Sequence, residues 1–164
     1  MAEQLLDGAI HITEIRSLIG HKLGPTRPTV LDQERINLFA EATDDYQWIH
    51  TDPARAAETE TGSTIAHGFL ILALAATVNQ ELVLIEGTSS RVNYGLNKVR
   101  FISPAPAGTR ARGFTTLKSV KSVPSGTQLV FDIEIRGDQI EKPLCVAEFI
   151  SLAPGIHLEQ EPTA

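Results

Sequence analysis

Apolar residues are concentrated in one segment near the middle of the chain. Between residues 66 and 81 nearly every position is apolar, and this stretch contains Phe69, Leu70, Ile71, Leu72, Leu74, Ala75, Ala76 and Val78. A helix that is hydrophobic on every side is buried on every side. The pattern therefore predicts a long central helix that the rest of the chain encloses.

The second half of the chain has the patterns of β-strands. Short runs of Pro, Gly, Ser and Asp, which favour turns, separate four β-rich segments: residues 91–101, 109–120, 128–136 and 144–152. The third segment alternates as a strand with one buried face does, through Leu129, Phe131, Ile133 and Ile135. Strands that follow one another on short connections pair in an antiparallel meander. With an edge strand over residues 27–31, the pattern predicts an α+β fold whose long helix lies across a curved antiparallel sheet.

Two further helices are predicted before the central one. Asp32 is a suitable N-cap for a helix over residues 33–41, and Asp52 followed by proline starts a short helix that ends near residue 59. The residues between these two helices lack periodicity and are expected to form a non-helical loop.

The length of 164 residues fits one domain. Residues 1–12 are weakly patterned and are expected to form a loose arm, residues 13–153 the domain, and residues 154–164 a tail. A short helix is predicted over residues 14–19. A domain of this size buries enough surface to fold without a disulfide or a structural metal.

Charge and composition exclude some classes of partner. The net charge is −6, with 42% hydrophobic and 21% charged residues, and no run of Lys or Arg stands out. Nucleic acids and anionic membrane surfaces attract basic patches, so neither is expected as a partner. The longest apolar run, residues 69–78, is too short to cross a bilayer.

The chain has a single cysteine, Cys145, so no internal disulfide can form. It lies in an apolar run, which favours a small buried hydrophobic residue over a nucleophile. The N-terminus lacks the basic start and apolar block of a signal peptide. Together these features predict a cytoplasmic protein.

The polar segment before the central helix contains the residues best suited to chemistry. Asp45 and His50 lie five residues apart in a predicted loop, which can fold back to bring the two side chains within hydrogen-bonding distance. A carboxylate and an imidazole form an acid/base couple at neutral pH. Spacing leaves an alternative equally open, in which Asp44 or Asp45 caps a turn and His50 is a hydrogen-bonded, half-buried residue.

His67 and Gly68 open the central helix. The first N–H groups of a helix have no partner within the helix and carry partial positive charge, and glycine lets a ligand approach the backbone closely. The Gly68 N–H is therefore a candidate to stabilise an oxyanion. The alternative is an ordinary helix start, with His67 hydrogen-bonded in a supporting role.

No metal ion or cofactor is expected. His50, Asp52 and His67 could in principle hold a metal, but their spacing matches no common ligand motif and no third histidine lies near in sequence.

Polar residues also occur on the first long predicted strand, at Asn93, Lys98 and Arg100. They either serve the strand and its turns or line a pocket. In a chain with net negative charge, the two cations are candidates for attracting a phosphate-bearing substrate.

Two motifs resemble the hydratase signature of the MaoC-like, (R)-specific enoyl-CoA hydratases. The first is Asp-Tyr-Gln-Trp-Ile-His over residues 45–50, followed by Asp-Pro, and the second is Ile-Ala-His-Gly over residues 65–68. Residues 91–101 are similar to the long-strand segment of that family. The resemblance covers roughly residues 13–152, and two motifs in the right order make it more specific than either motif alone.

The resemblance implies a hot-dog fold, in which an antiparallel sheet wraps around one long helix, and a homodimer. It implies an enzyme that adds water to a trans-2-enoyl-CoA thioester, giving the (R)-3-hydroxyacyl thioester without a cofactor. Asp45 and His50 would hold and deprotonate the water, and the Gly68 N–H would polarise the thioester carbonyl. The substrate-binding residues would be Tyr46, Trp48, His67, Asn93, Lys98 and Arg100.

One position departs from the family pattern. Some members place a serine two to three turns into the central helix, facing the acyl group, where this chain has Leu-Ala-Ala-Thr over residues 74–77. Ala75 and Ala76 leave room for an acyl chain, so the preferred chain length stays open. Also open are the carrier (coenzyme A or acyl carrier protein), the pathway (fatty-acid breakdown or supply of polyhydroxyalkanoate monomers) and which of Asp45 and His50 is the base.

Two other functions compete with the hydratase. A hot-dog thioesterase would rely on a carboxylate near the helix start rather than on an Asp/His loop. A non-catalytic acyl-binding or assembly subunit would be expected to lack the Asp/His pair, which this chain retains.

Overall fold

The computed structural model describes Leu6 and residues 8–158. The strands of this part of the chain are β1 (Ile10–His11), β2 (Lys22–Leu23), β3 (Thr29–Leu31), β4 (Ile85–Glu86), β5 (Val92–Phe101), β6 (Thr109–Val123), β7 (Gly126–Gly137) and β8 (Cys145–Pro154). Its helices are a 3-10 helix (Ile12–Leu18), α1 (Gln33–Thr43), α2 (Trp48–Thr51), α3 (Pro53–Ala56) and α4 (Gly68–Leu82).

One antiparallel sheet forms the body of the molecule. Its strands follow the order β2-β6-β7-β8-β5, and β3 pairs with residues 109–111 of β6. The predicted meander is confirmed for β6, β7 and β8. It is wrong for β5, which pairs with β8 at the sheet edge rather than with its sequence neighbour β6. The connection between β5 and β6 passes the start of α4, where the Ala66 N–H donates to the Ala105 carbonyl (2.8 Å).

Strand β7 shows why one face of the sheet is buried. Leu129, Phe131, Ile133 and Ile135 are each at most 2% exposed, as their alternation predicts. They belong to the hydrophobic core, which also contains the buried residues of α4. Asp132, on the other face of β7, is exposed.

Helix α4 packs against this buried face, with Leu70, Ile71, Ala75, Val78, Asn79 and Leu82 as its buried residues. The prediction that it is buried on every side is wrong for a single chain. Phe69 is 68% exposed, and Ala73 and Thr77, one and two turns further along, are also exposed. A stripe on α4 formed by Phe69, Ala73 and Thr77 therefore faces outward.

Gly113 on β6 allows the closest approach between helix and sheet. A Cβ atom at this glycine would lie only 2.0 Å from Cγ2 of Val78. The hydroxyl of Thr115, two residues along β6, donates to Oδ1 of Asn79 (2.8 Å). Because both contacts come from one strand, they fix the depth at which α4 sits on the sheet.

The end of the predicted N-terminal arm differs from the expectation. Ile10–His11 pairs in parallel with Ile85–Glu86, and Ile12 is buried at the start of the 3-10 helix. That helix lies two residues earlier than predicted, because its N-cap is His11, whose ring accepts from the Thr13 N–H. Residues 1–5 and 7 of the arm, and residues 159–164 of the tail, lie outside the described residues.

Two further predictions concern the environment of Cys145 and the length of the apolar helices. Cys145 is buried and unpaired, and burial raises the pKa of its thiol to about 11, so it has the character of a core residue rather than a nucleophile. No helix within the described residues has both the length and the hydropathy that crossing a bilayer requires.

Candidate active site

The segment between α1 and α4 folds into a compact loop that contains one unpredicted helical turn. Helix α1 continues two residues beyond the predicted end and stops at Asp44, whose φ of 57° is left-handed. Residues 48–51 then form α2, closed by a bond from the Asp52 N–H to the Trp48 carbonyl (3.0 Å). The expectation of a wholly non-helical loop is therefore wrong, since four residues are too few to show a hydrophobic period.

Asp52 and Arg55 fix the far end of this loop. The Asp52 carboxylate accepts from the Arg55 N–H (3.0 Å) and so caps α3, as predicted. The helix ends at Ala56, earlier than the predicted residue 59. The Arg55 guanidinium lies over the Trp48 ring, 4.0 Å from its centroid. Asp52 thus caps α3 and does not join His50 and His67 as the third possible metal ligand that the sequence suggested.

His50 is held rigidly from two sides. Its side chain is buried, and its Nδ1 lies 2.6 Å from the Ile65 carbonyl oxygen. Its own carbonyl accepts from Nε2 of Gln33 (2.8 Å), and Oε1 of Gln33 in turn accepts from the Thr64 hydroxyl. Because a carbonyl only accepts, Nδ1 carries the proton, and a neutral His50 has its lone pair on Nε2.

His67 lies directly against His50. The two rings stack with centroids 3.8 Å apart and planes inclined by 27°. Nε2 of His67 donates to the Asp45 carbonyl (3.0 Å), and Phe39 packs against the ring at 5.1 Å. His67 is 2% exposed, and these contacts hold the Asp45 backbone and the His50 ring in place.

Asp45 completes the cluster. One carboxylate oxygen of Asp45 and one ring nitrogen from each of His50 and His67 all lie within 4.8 Å of one another. Asp45 is exposed whereas both histidines are buried. The cluster therefore has an acidic, solvent-facing side and a buried imidazole side.

Burial lowers the pKa of His50 below its ordinary value of 6.5. The hydrogen bond to Ile65 opposes this, the charge of His67 adds to it, and the Asp45 carboxylate opposes it. Because the pKa of His50 is lowered overall, its imidazole is neutral at neutral pH. A neutral ring with a free lone pair on Nε2 is what a general base requires.

Gly68 follows the cluster directly as the first residue of α4. The His67 side chain does not cap this helix, so the N–H groups of the first turn remain available to an acceptor. A Cβ atom at Gly68 would lie 2.9 Å from Cδ2 of Phe101, and Phe101 also meets Phe69 edge to face at 5.7 Å. A side chain at position 68 would therefore require the Phe101 ring or the start of α4 to shift.

Several contributors to the site escape sequence reasoning. Gln33, Phe101 and the carbonyl of Ile65 each act across contacts that are distant in sequence. No periodicity or motif marks such contacts in a single sequence. Of these, only Phe101 had a weak signal in the sequence, as an aromatic residue at the end of the first long predicted strand.

The remaining predicted substrate-binding residues are spread over the molecule. Tyr46 is 57% exposed and Trp48 is half-buried, both in the same loop as Asp45. Lys98 and Arg100 lie on the sheet face opposite α4, beside a groove of about 590 Å³ that also contains the Lys22–Glu134 ion pair.

Asn93 lies elsewhere again. It lines a cavity of about 210 Å³ beside the second half of α4. Within one chain, the structure therefore brings together Asp45, His50, His67 and Gly68, but does not bring Asn93, Lys98 or Arg100 to them.

The same cluster contains the atom types of a metal site. Asp45, His50 and His67 could supply a carboxylate oxygen and two nitrogens. One nitrogen of each ring is bonded to a carbonyl, and Nδ1 of His67 has no hydrogen-bond partner among the described residues. The same carboxylate and imidazole groups are also able to transfer protons.

Comparison with known families identifies the chain. A family model described as a MaoC like domain matches residues 14–136. The chain belongs to the MaoC-like dehydratase family. A relative named 3-hydroxyacyl-thioester dehydratase Z from Mycobacterium tuberculosis is 41% identical over 140 residues, which are 85% of this chain and 93% of the relative.

Solved structures of two (R)-hydratases share the fold. The R-hydratase PhaJ1 from Pseudomonas aeruginosa matches with a TM-score of 0.68 at 21% identity, covering 89% of this chain and 90% of its own. The (R)-hydratase from A. caviae involved in PHA biosynthesis matches with a TM-score of 0.69 at 19% identity, covering 83% and 96%. The predicted family and hot-dog fold are confirmed, and the protein is an enzyme of the hydro-lyase class.

Proposed function

We propose that this MaoC-like dehydratase catalyses the reversible, (R)-specific addition of water to a trans-2-enoyl-CoA thioester. The observation that carries the proposal is the cluster of Asp45, His50 and His67 beside the uncapped start of α4, with the pKa of His50 lowered. The relative named as a 3-hydroxyacyl-thioester dehydratase supports a thioester substrate, and the structural likeness to two (R)-hydratases supports the proposed stereochemistry.

The proposed mechanism uses His50 as the base. Nε2 takes a proton from water while the water oxygen bonds to C3 of the enoyl group, and the C2–C3 π electrons move toward the thioester carbonyl. The Gly68 N–H stabilises the resulting enolate oxygen. The imidazolium then returns the proton to C2, so one group serves as base and then as acid.

Asp45 has a supporting electrostatic role in this scheme. Its carboxylate accepts the second hydrogen of the water and stabilises the transient imidazolium of His50, since it lies within 4.8 Å of that ring. His67 donates a hydrogen bond to the Asp45 carbonyl and so positions Asp45. It is a positioning residue rather than one that touches the substrate.

A spectrophotometric assay of crotonyl-CoA hydration tests the proposal. The enoyl absorbance should fall in the presence of the purified protein, and His50→Ala and Asp45→Asn should each slow the reaction by about 10²- to 10⁴-fold. Arg110→Met, an exposed change beside Asp138, is the matched control and should leave the rate unchanged. The proposal fails if the wild-type protein leaves the absorbance constant while a known hydratase depletes it.

We also propose that the enzyme works as a homodimer formed through β5 and the exposed stripe of α4. Strand β5 pairs on one side only within the described residues. Val92, Tyr94 and Leu96 on this edge are 48%, 56% and 42% exposed, and Phe69 on α4 is 68% exposed. A long, apolar, unpaired strand edge is a template for pairing with another chain.

Two finer features of the proposal concern binding and location. Lys98 and Arg100 are proposed to attract the anionic part of coenzyme A, supported by their exposure on β5 in a chain of net negative charge. A cytoplasmic location is proposed because the single cysteine is buried as a free thiol. Turnover of enoyl-CoAs of increasing acyl length would define the preferred chain.

A further inference from the structure

A second polar cavity lies beside the C-terminal half of α4. It has a volume of about 210 Å³ and is lined by Ala76, Asn79, Gln80, Arg91, Asn93, Phe149 and Ser151. The helical rise of 1.5 Å per residue places Asn79 about 16 Å beyond Gly68 along α4. The cavity therefore lies away from the Asp45–His50 cluster, but it includes Ala76, on the stretch of α4 that the family resemblance places against the acyl group.

Two of its side chains carry buried N–H groups without a partner. These are Nη1 of Arg91 and Nδ2 of Asn79, and the Asn79 side chain is almost wholly buried. The rest of each side chain is anchored: Nη2 of Arg91 donates to the Val83 carbonyl (3.1 Å), and Oδ1 of Asn79 accepts from the Thr115 hydroxyl (2.8 Å). A buried donor without an acceptor is unfavourable, so both groups favour an occupant that accepts hydrogen bonds.

The charge of the cavity is also unbalanced. Arg91 is the one charged residue among those that line it, and no carboxylate of the described residues forms an ion pair with it. Burial lowers the pKa of the Arg91 guanidinium, and no neighbouring charge offsets this effect. A buried charge is stable when it is paired, so the cavity favours an anion over a neutral molecule.

We propose that this cavity is a binding site for a small carboxylate, held between Arg91 and Asn79. A planar guanidinium and an amide N–H match the two oxygens of a carboxylate, and one positive charge balances a monoanion but not a phosphate dianion. Ala76 and Phe149 provide an apolar wall for the few carbon atoms attached to it. The carboxylate comes either from a free short-chain acid or from the far end of a substrate's acyl chain, and the second source rests on the function proposed above.

Thermal unfolding of the dialysed protein tests the site without any assay of catalysis. Butanoate at about ten times its dissociation constant should raise Tm by about 3–5 °C over sodium chloride of equal ionic strength. Arg91→Met should abolish this shift, and Arg110→Met, which removes an exposed arginine, should retain it. Asn79→Asp should abolish the shift and raise the Tm of the ligand-free protein, because it places a carboxylate inside the cavity beside Arg91.

The two sources give different kinetic results. If the carboxylate is acyl-borne, Arg91→Met should lower kcat/KM at least tenfold for an enoyl-CoA that ends in a carboxylate, and should leave the methyl-ended enoyl-CoA of equal length unchanged. If the source is a free acid, Arg91→Met should change kcat/KM equally for both substrates, while butanoate still raises the Tm of the wild-type protein. Absence of turnover with either substrate would reject the proposed function alone, and the thermal shift would still test the cavity.

Three results would overturn the carboxylate site. They are no Tm shift with butanoate in the wild-type protein, a shift of equal size in Arg91→Met, or a shift with inorganic phosphate and with no carboxylate. If Arg91→Met does not fold, Asn79→Asp provides the test: a butanoate shift of wild-type size in that variant would also overturn it.

Discussion

His50 separates its two ring nitrogens by function. Nδ1 is committed to the Ile65 carbonyl at 2.6 Å, so only Nε2 can exchange a proton with a substrate. The bond also fixes the ring against rotation, and the stacked ring of His67 limits tilting. Such preorganisation means that little reorganisation is needed when the proton moves.

The lowered pKa of His50 predicts the pH profile of the enzyme. If His50 is the base, as proposed, the neutral imidazole is the active form, so kcat/KM should be constant near neutral pH and fall as acid protonates the ring, with a midpoint below 6.5. Asp45→Asn removes a charge that raises this pKa, so the midpoint of the remaining activity should move further down. A profile of kcat/KM against pH for both proteins measures this, and an upward move in Asp45→Asn would contradict it.

Gly68 is predicted to tolerate no side chain. In Gly68→Ala the new methyl group would lie within 2.9 Å of Phe101, so the ring or the start of α4 must shift. A small misplacement of a catalytic group is costly, and kcat/KM should fall about 10- to 100-fold. The double variant with Phe101→Ala makes room and should recover part of the rate. An unchanged rate in Gly68→Ala alone would show that the contact is unimportant.

At the scale of the elements, a helix or strand was predicted correctly where residues close in sequence determine it, and was missed where they do not. Helix α1 starts at the predicted cap, and the Asp32 carboxylate accepts from the Arg35 N–H at 2.9 Å. Strand β7 has the predicted buried face. Helix α2 was missed, because its bonds lie within a four-residue turn. The pairing of β5 with β8 was also missed, because strand order depends on contacts that a single sequence does not display.

The cap of α3 gives a prediction at this scale. Asp52→Ala removes the acceptor of the Arg55 N–H and should cost about 1 kcal/mol of stability, which corresponds to a fall in Tm of about 2–4 °C. Asp52→Asn is the matched control and should stay close to wild type, since Asn is an equally good N-cap. Thermal unfolding followed by circular dichroism measures both. Equal losses in the two variants would point to the charge of Asp52 rather than to its cap.

At the scale of the whole molecule, an apolar surface at β5 and on α4 is exposed, and it is the proposed dimer interface. If β5 forms the proposed dimer interface, Leu96→Asp should give a monomer of 17.8 kDa in light scattering, because a charge at the centre of an apolar interface is costly. Leu38→Asp is the matched control, since Leu38 is 60% exposed on α1, and it should remain dimeric. A monomeric wild-type protein would contradict the proposal.

The candidate site, like the fold, was predictable only where the residues that form it lie close together in sequence. Asp45, His50, His67 and Gly68 lie in two short motifs whose chemistry can be inferred residue by residue. The stacking of the two imidazoles, the Gln33 bond to the His50 carbonyl and the position of Phe101 over Gly68 arise only when distant segments meet. A single sequence contains the groups that react, but not the tertiary contacts that orient them.

The close approach of Val78 to Gly113 has a consequence at the opposite end of α4. An α-helix moves as a rigid unit, and Gly68 lies about 15 Å from Val78 along α4. The absence of a methyl group at Gly113 thus sets how close to the sheet α4 lies along its whole length, including at Gly68. Any side chain at position 113 would push α4 away from the sheet and would displace the Gly68 amide, the proposed oxyanion donor, from a distance.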